Sequence, residues 1–553
     1  MKTNNRLRRI VALLLALALM PFSLGACSSR GAQGAGPTQE DTGADASRRL
    51  VVVDNEPDTV DFQCTSIHYT VALNAFNRLV EMQSTEDGSV AVMPSLAKAW
   101  EVSDDGRVYT FHLREGVTFS NGSPLTASDV EYTFTRLLTH PNACNQDIAD
   151  GILGAQRLEA GEADRLEGFE VLGELDFVIT LAQPFEAFLA CLSMPGASIL
   201  DRETTEAAGD RFGTDPDATV GTGAYILKSW DVGKGMLLVV NPTCWEGPPA
   251  NDGLDVRFIT NSATMRRMFE NGELDILDLN DLGTSAEYFI HGDIYQDRLL
   301  MTQQIAITYI ALNESVAPLG DARVRRALQL ALNRQTLLDS IYSGRGELEN
   351  GIFPHGLSGY NPDLPEIPCD PQVAAALLGE AGYPDGFDLT VSVSASSTLS
   401  EKKLMTLAAD MWSKIGVRAS VEVLDAGEFM RLRKSGALAC YSATWSADFN
   451  DPDNFIYTFF GNRENTAFRS LCYPDEAVME RVCQARAITD TAARIREYQA
   501  LEEIIVQRDA AWVPLFSRTH YFVASERVEQ LKASWNGWVS TSYRFIAMKE
   551  PTS

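Results

Sequence analysis

Trp445-Ser446-Ala447-Asp448-Phe449-Asn450-Asp451-Pro452, with Asp453-Asn454-Phe455 directly after it, is the stretch on which the reading of this chain turns. The segment 439–445 reads as a strand. Pro452 biases Asp451 away from the helical region, so the chain leaves that strand into a loop. The loop sets an acid among aromatic side chains. A carboxylate beside Trp445 and Phe449 loses part of its hydration and needs a cationic partner in exchange. The free α-amine of a ligand is one such partner. A carboxylate here also fits an Asx-turn, in which it caps its own backbone.

The run resembles the Trp-x-Ala-Asp-Tyr-Asn-x-Pro signature of the oligopeptide- and dipeptide-binding proteins, solute-binding protein family 5. These are the extracytoplasmic receptors of ABC importers. The resemblance implies that Asp448 pairs with a peptide's N-terminal ammonium and that Trp445 lines a side-chain pocket. Ser446, Ala447, Phe449 and Asn450 complete the expected ligand-binding loop, with Phe449 and Asn450 orienting it. Asp451 and Asp453 read as caps or solvated acids. Two departures stand out. The family's best-known oligopeptide receptor has a disulfide-bonded Cys where this chain has Ser446. It has an Arg, near the carboxylates of short ligands, where this chain has Ser442. The anchor for a ligand's C-terminus is therefore unassigned.

The resemblance extends from about Leu50 to Ser553. Its most recognisable part is Pro94-Ser95-Leu96-Ala97 through Trp100, then Asp104-Asp105-Gly106 and Phe119-Ser120-Asn121-Gly122. Each piece has a structural task. Tyr109, Phe111 and Leu113 alternate on one face of a strand. Asn121-Gly122 is a tight-turn signal. Thr126 and Asp129 form a capping box ahead of a helix whose apolar face is Val130, Phe134 and Leu137. Gly221-Thr222-Gly223-Ala224-Tyr225 reads as a turn, because no strand–glycines–helix arrangement supports a phosphate loop. Asn241-Pro242-Thr243-Cys244-Trp245 matches the family's Asn-Pro-x-Tyr-Trp with Cys244 at the Tyr position. In the family, the strand at Tyr309 to Asn313 is a crossing between lobes, which makes Tyr309 a candidate ligand-facing residue.

Farther on, Asp321 caps a helix with Val324, Ala327, Leu328, Ala331 and Leu332 on one face. Arg325, Arg326 and Arg334 fall off that face and read as solvated. Strand 389–393, the amphipathic helix Leu404 to Ile415 and strand 417–424 form an α/β unit with parallel pairing. The next strand delivers Asp448, as expected of ligand sites at the carboxyl ends of strands. Thr491 to Arg508 is the last long helix, and 512–516 crosses back. The fold class is α/β, a two-lobed periplasmic-binding-protein fold with a hinge and an additional third domain. Lobe I comprises 49–92, 218–305 and 515–553. The extra domain is 93–217, and lobe II is 306–514.

At 553 residues the chain exceeds one core. A net charge of −29 leaves no basic stripe to neutralise phosphates, which excludes a nucleic-acid partner. It equally disfavours adsorption to an anionic membrane by charge. Residues 1–27 read as a processing segment: Lys2, Arg6, Arg8 and Arg9 are basic, and Ile10 to Met20 is apolar but too short to span. Leu24-Gly25-Ala26-Cys27 resembles a bacterial lipoprotein signal, which implies cleavage before Cys27 and lipidation of its sulfur. Lipidation would anchor the exported protein to the outer face of the cell membrane, or on the periplasmic side, through Cys27. An ordinary secretory signal is the other reading. Cleavage takes away four cations and no acid, leaving a net charge of about −33. Segment 28–48 lacks an apolar period and reads as a disordered tether.

Eight further cysteines follow: Cys64, Cys144, Cys191, Cys244, Cys369, Cys440, Cys472 and Cys483. Export permits disulfides. Closeness along the chain suggests Cys144–Cys191 and Cys472–Cys483, although connectivity does not follow from sequence. No Cys-x-x-Cys pair and no His-Glu-x-x-His spacing calls for a metal, and no Gly-x-Ser-x-Gly elbow calls for a nucleophile. No catalytic residue, cofactor or metal is expected, and the chain does not read as an enzyme. The expected partners are a peptide, the permease subunits of an ABC importer, and the membrane through the lipid; the receptor is expected to be a monomer. Relatives use this scaffold for a nickel chelate, haem, opine or oligosaccharide, and those ligands remain open. A surface lipoprotein hydrolase or structural component is the reading from another class.

Overall fold

The computed structural model describes residues 48–86, 89–280 and 282–550. The expectations placed on 1–47, lipidation of Cys27 among them, lie outside that range. Leu50 and Val52 point inward from the strand Leu50–Asp54, which pairs in parallel with Leu254–Phe258. Gly235–Val240 and Tyr225–Asp231 extend this sheet antiparallel. A separate antiparallel sheet runs Ala97–Val102, Val108–Leu113, Asp176–Thr180, Phe169–Val171. Tyr109, Phe111 and Leu113 are buried on one face of it, against Val130, Phe134 and Leu137 of the helix Ala127–Thr139. Thr126 and Asp129 close the helix start as a capping box, with the Thr126 N–H donating to Asp129 Oδ2 at 2.9 Å.

Three large apolar cores result. One gathers residues between 79 and 199, with Phe449 added from far along the chain. A second joins 50–76 and 200–256 to Phe522, Val528 and Tyr543. The third lies within 305–516. A smaller cluster around Phe269, Phe289 and Val523 sits beside them.

A single strand, Trp512–Ala524, links the second and third cores. Its start pairs with Ala306–Leu312, whose seven residues are all buried. Its end pairs with Leu299–Gln303 and Ile276–Asp278. Trp512 and Phe516 thus belong to one core, Phe522 and Ala524 to another. The crossing is longer than the 512–516 expected, because the polar run Ser517-Arg518-Thr519-His520-Tyr521 hides it from an apolar-pattern search. Asp388–Ser394 and Arg418–Leu424 pair in parallel around the helix Leu399–Ser413. Cys440–Ser446 joins Ala306–Leu312 antiparallel.

Several polar expectations need correction. Arg325 is 3% exposed, paired with Glu314 at 2.9 Å and donating to the carbonyls of Leu319 and Asp509. Arg334 is buried and donates to Asn350 Oδ1 and the Ile367 carbonyl. Helical periodicity placed both beside the apolar face, but a long stem carries the guanidinium to buried acceptors. Asp451 and Asp453 are buried, not solvated, and Asp451 does cap, its Oδ1 accepting from the Asp453 N–H at 2.9 Å. Asp451 takes a two-pronged Arg494 at 2.8 and 2.6 Å, and Asp453 meets Tyr498 and Arg486 at 2.9 and 3.0 Å. All eight described cysteines are free thiols. Cys191 is buried while Cys144 is exposed beside the Gln63 carbonyl. Cys472 approaches Gly436, whereas the Cys483 thiol donates to Gly461. Closeness in sequence did not bring either expected pair together.

Candidate functional site

The strand Cys440–Ser446 ends with Trp445 opposite Ile307 and Ser446 opposite Ala306. The chain is then fastened residue by residue. The Ala447 N–H donates to the Ile305 carbonyl at 2.8 Å, and the Asn536 amide donates to the Ala447 carbonyl at 2.6 Å. Ser446 Oγ accepts from Gln304 at 2.7 Å. Phe449, 4% exposed, buries its ring in the core of residues 79–199. Asn450 caps the Ser358 N–H at 2.8 Å, and its own N–H meets the Met82 sulfur.

Asp448 sits between these fastenings. Its N–H donates to Asn454 Oδ1 at 2.9 Å, and Asn454 Nδ2 returns a bond to Asp448 Oδ2 at 3.0 Å. The Trp445 indole N–H donates to the Asn454 carbonyl at 3.1 Å. Asn454 stands on the first turn of the helix Asp453–Phe460 and so locks Trp445 and Asp448 into one unit. The Asp448 carboxylate takes no backbone N–H and no ion-pair partner among the described residues, which is not the Asx-turn arrangement. By surface area the side chain is exposed, yet burial pushes its pKa up to about 6. Both hold when the space it faces is enclosed by protein. The Asn454 bond and Arg469 oppose the rise, and Asp147 adds to it.

That space includes a cavity of about 270 Å³, with Asn74, Phe76, Met82, Trp535, Arg544 and Asp448 in its wall. It holds the volume of roughly nine waters. Of its other charges, Arg78 is paired with Glu81 at 2.9 Å and Arg544 with Glu246, while Lys532 lies over the Phe545 ring at 5.6 Å. Gly223 also lines it, and its N–H donates to the Ala75 carbonyl. A Cβ on Gly223 would sit 2.6 Å from the Ala75 carbonyl carbon, so the close approach admits only glycine. A larger hollow of about 480 Å³ lies along Ala127–Thr139, where Arg136 is paired with Asp61 and Arg202 with Glu206.

Tyr309 lies beneath this site, not on its wall. It is 2% exposed, stacked on Trp512 at 4.0 Å and edge-on to Phe459. Its strand is buried on both faces, so alternation gave no clue to which side chains reach open space. Asn454 is the residue of this unit that sequence reasoning missed. Asn454 was visible in the opening stretch, but its task depends on the helical turn that folds it back. Asp61, Cys64 and His140 hold ligand-type atoms within 4.8 Å of one another. The Asp61 carboxylate is already committed to Arg136, and burial followed by Asp61 pushes the Cys64 thiol up to about 12. This arrangement favours a protonated thiol against His140 over a metal thiolate.

The family model for bacterial extracellular solute-binding proteins, family 5, middle region, matches residues 91–467. Haem-binding protein A of Haemophilus influenzae is 28% identical, covering 82% of this chain and 83% of that one. The dipeptide-binding protein of Escherichia coli is 29% identical over 79% of this chain and 82% of its own. Among solved structures, an ABC transporter-associated periplasmic binding protein of Helicobacter pylori, in complex with the peptide STSA, superposes with a TM-score of 0.76. It is 23% identical and covers 91% of this chain and 99% of that one. At that identity the likeness establishes the two-lobed fold.

Proposed function

The chain belongs to the bacterial extracellular solute-binding proteins, family 5, and from that premise we propose that it captures peptides in a closing cleft and hands them to the permease of an ABC importer. The observation that carries this reading is Asp448. A carboxylate held rigidly by Asn454, enclosed, and without a cation of its own is a receptor for an ammonium group. The N-terminal ammonium is a group that nearly all peptides share, so its capture is indifferent to sequence. The names of several relatives, dipeptide- and di/tripeptide-binding proteins, support the same ligand class. The segments 49–92, 218–305 and 515–553 then act as lobe I, 93–217 as the extra domain, and 306–514 as lobe II, closing as a hinge. Lipidation at Cys27 would hold the receptor at the membrane. Among the described residues no helix is long and apolar enough to cross one.

Haem is the competing ligand, named by one relative. The lining of the Asp448 cavity offers no histidine, cysteine or tyrosine as an axial ligand, and its Met82 sulfur already accepts from Asn450. Denaturing the purified soluble protein and identifying the released ligand by mass spectrometry tests the reading. Recovery of peptides is the expected result; recovery of haem or a sugar with no peptide overturns it.

A further inference from the structure

Cys64 and Cys144 lie far apart in the chain, yet the segments that carry them are stitched together beside both thiols. The Cys144 N–H donates to the Gln63 carbonyl at 3.0 Å. Asn145 Nδ2 donates to the carbonyls of Phe62 and Thr65 at 2.9 and 2.8 Å. The Cys64 turn is pinned independently as well. Its N–H donates to the Asp61 carbonyl at 2.9 Å, and the Gln63 side chain binds the Thr133 carbonyl and the Arg136 guanidinium. The Gln63 carbonyl oxygen lies close to the Cys64 Cα across their shared peptide. Trans-peptide dimensions therefore put the Cα atoms of Cys64 and Cys144 at most about 7 Å apart. A disulfide spans about 4.4–6.8 Å between Cα atoms. Cys191, which closeness along the chain favoured as the partner of Cys144, is buried at the end of the short helix Phe188–Cys191.

The two thiols are unlike. Cys144 is exposed, whereas Cys64 is half-buried with its Sγ 3.2 Å from His140 Nδ1. The Asn142 N–H donates to that same Nδ1 at 3.3 Å, so Nδ1 carries the lone pair and the ring proton sits on Nε2. Burial first, and Arg136 next, hold His140 below the usual histidine range, which keeps the ring neutral and able to take a proton. Neither thiol is stabilised as a thiolate. Burial first and Asp61 next push Cys64 up to about 12, while the protein around Cys144 first and Asp147 next raise that thiol too. A reduced pair that gains nothing from ionising favours its disulfide.

We propose that Cys64 and Cys144 form a disulfide in the exported protein, with Cys144 as the entry point and His140 as the base for the closing step. The chain belongs to an extracellular family, and disulfides form and persist outside the cytoplasm. A disulfide-bearing oxidant meets the exposed Cys144 first. The Cys144 sulfur displaces one sulfur of the oxidant, its proton passing through water to the thiolate that leaves, and a mixed disulfide remains. Cys64 then gives its proton to His140 Nδ1, and its sulfur attacks the Cys144 sulfur. The oxidant's second sulfur departs and takes the proton from His140. Two cysteine thiols lose two electrons and two protons, and one disulfide of the oxidant becomes two thiols. The new bond joins the core that holds Phe62 to the core that holds Ile148. It closes a loop of about 80 residues, and a cross-link restricts the unfolded chain more as the loop lengthens.

The test is non-reducing peptide mapping of the purified soluble protein after treatment with oxidised glutathione, with the remaining thiols alkylated in denaturant. The expected result is one peptide pair linked through Cys64 and Cys144, lighter by two hydrogens than the separate peptides, with Cys191 alkylated. Full alkylation of Cys64 in the wild type, whether Cys144 is alkylated or carries glutathione, overturns the assignment. A Cys144–Cys191 link overturns it as well. His140→Gln should close the pair about tenfold more slowly and accumulate the Cys144–glutathione adduct; an unchanged rate removes His140 from the mechanism and leaves the pairing. A reductant should lower the thermal midpoint of the oxidised wild type and leave Cys64→Ser and Cys144→Ser unmoved; an equal drop in all three denies this pair its stapling role. The wild-type map decides the pairing even if a variant misfolds.

Discussion

Asp448→Asn removes a charge and little else. Asparagine keeps an acceptor for Asn454 Nδ2, so the lock between the loop and the helix Asp453–Phe460 survives. What is lost is the attraction between carboxylate and ligand ammonium. Two unit charges 4 Å apart at an effective dielectric of 20 attract by about 4 kcal/mol. Water retained in the cavity lowers that figure, giving a loss of about 2–4 kcal/mol, or roughly thirty- to a thousandfold in affinity. Little of this is offset by protonation at pH 7.5, since a group titrating at about 6 is then almost fully ionised. Calorimetry with one dipeptide, free and N-acetylated, against wild type and Asp448→Asn closes a double-mutant cycle. Acetylation should be costly for the wild type and nearly neutral for the variant. If the variant binds the free peptide within threefold of wild type, the charge is not the anchor and the functional reading built on it falls.

Three further outcomes follow from the same geometry. Proton and ammonium compete for Asp448, so affinity should hold above pH 6 and weaken about tenfold for each unit below it; a flat wild-type profile between pH 7.5 and 5 refutes the competition. Asp451→Ala strands the buried Arg494 guanidinium, at a cost of about 3–5 kcal/mol. Urea denaturation of the ligand-free protein should show it, and a loss below 1 kcal/mol contradicts the pairing. Glu502 is buried with Oε1 on the Ile352 and Phe353 N–H groups. Burial holds its pKa at about 8, above the unfolded value, so the folded state binds the extra proton. Stability should therefore fall as pH rises from about 5 to 8 and fall less in Glu502→Gln; identical slopes in the two proteins would dispose of this assignment.

Much of the scaffold was legible because local rules and tertiary packing agree there. The alternation of Tyr109, Phe111 and Leu113, the Thr126–Asp129 box and the helix 322–330 each state one structure in two ways, through period and through punctuation. Legibility failed where polar side chains act at long range. Arg325 and Arg334 look solvated until the carbonyls they satisfy, contributed by Leu319, Asp509 and Ile367, are brought beside them. Asp448 was readable because its unusual environment, an acid among aromatics, is local. Asn454 was not, because it meets Trp445 and Asp448 only after the first helical turn folds it back on the strand. An expectation for Tyr309 drawn from a crossing strand could not separate wall from foundation, since every residue of that strand is buried.

The loop's own fastenings set Asp448 apart from its neighbours. Ala447 is tied to Ile305 and Asn536, Phe449 to the core of residues 79–199, Asn450 to Ser358, and Asp451 to Arg494. Every neighbour of Asp448 is committed to a different part of the protein, whereas the Asp448 side chain binds only Asn454, six residues away. A loop pinned on both sides cannot relax to solvate the charge it carries, so the cost of holding that charge is met on folding rather than on binding. The same pins join separate cores: Phe449 and Met82 on one side, Ile305 and Ser358 on the other. On the proposed reading, ligand capture at Asp448 and contact between these cores are borne by one five-residue segment, and a cation seated there would stabilise the closed arrangement by whatever it gains over the empty one.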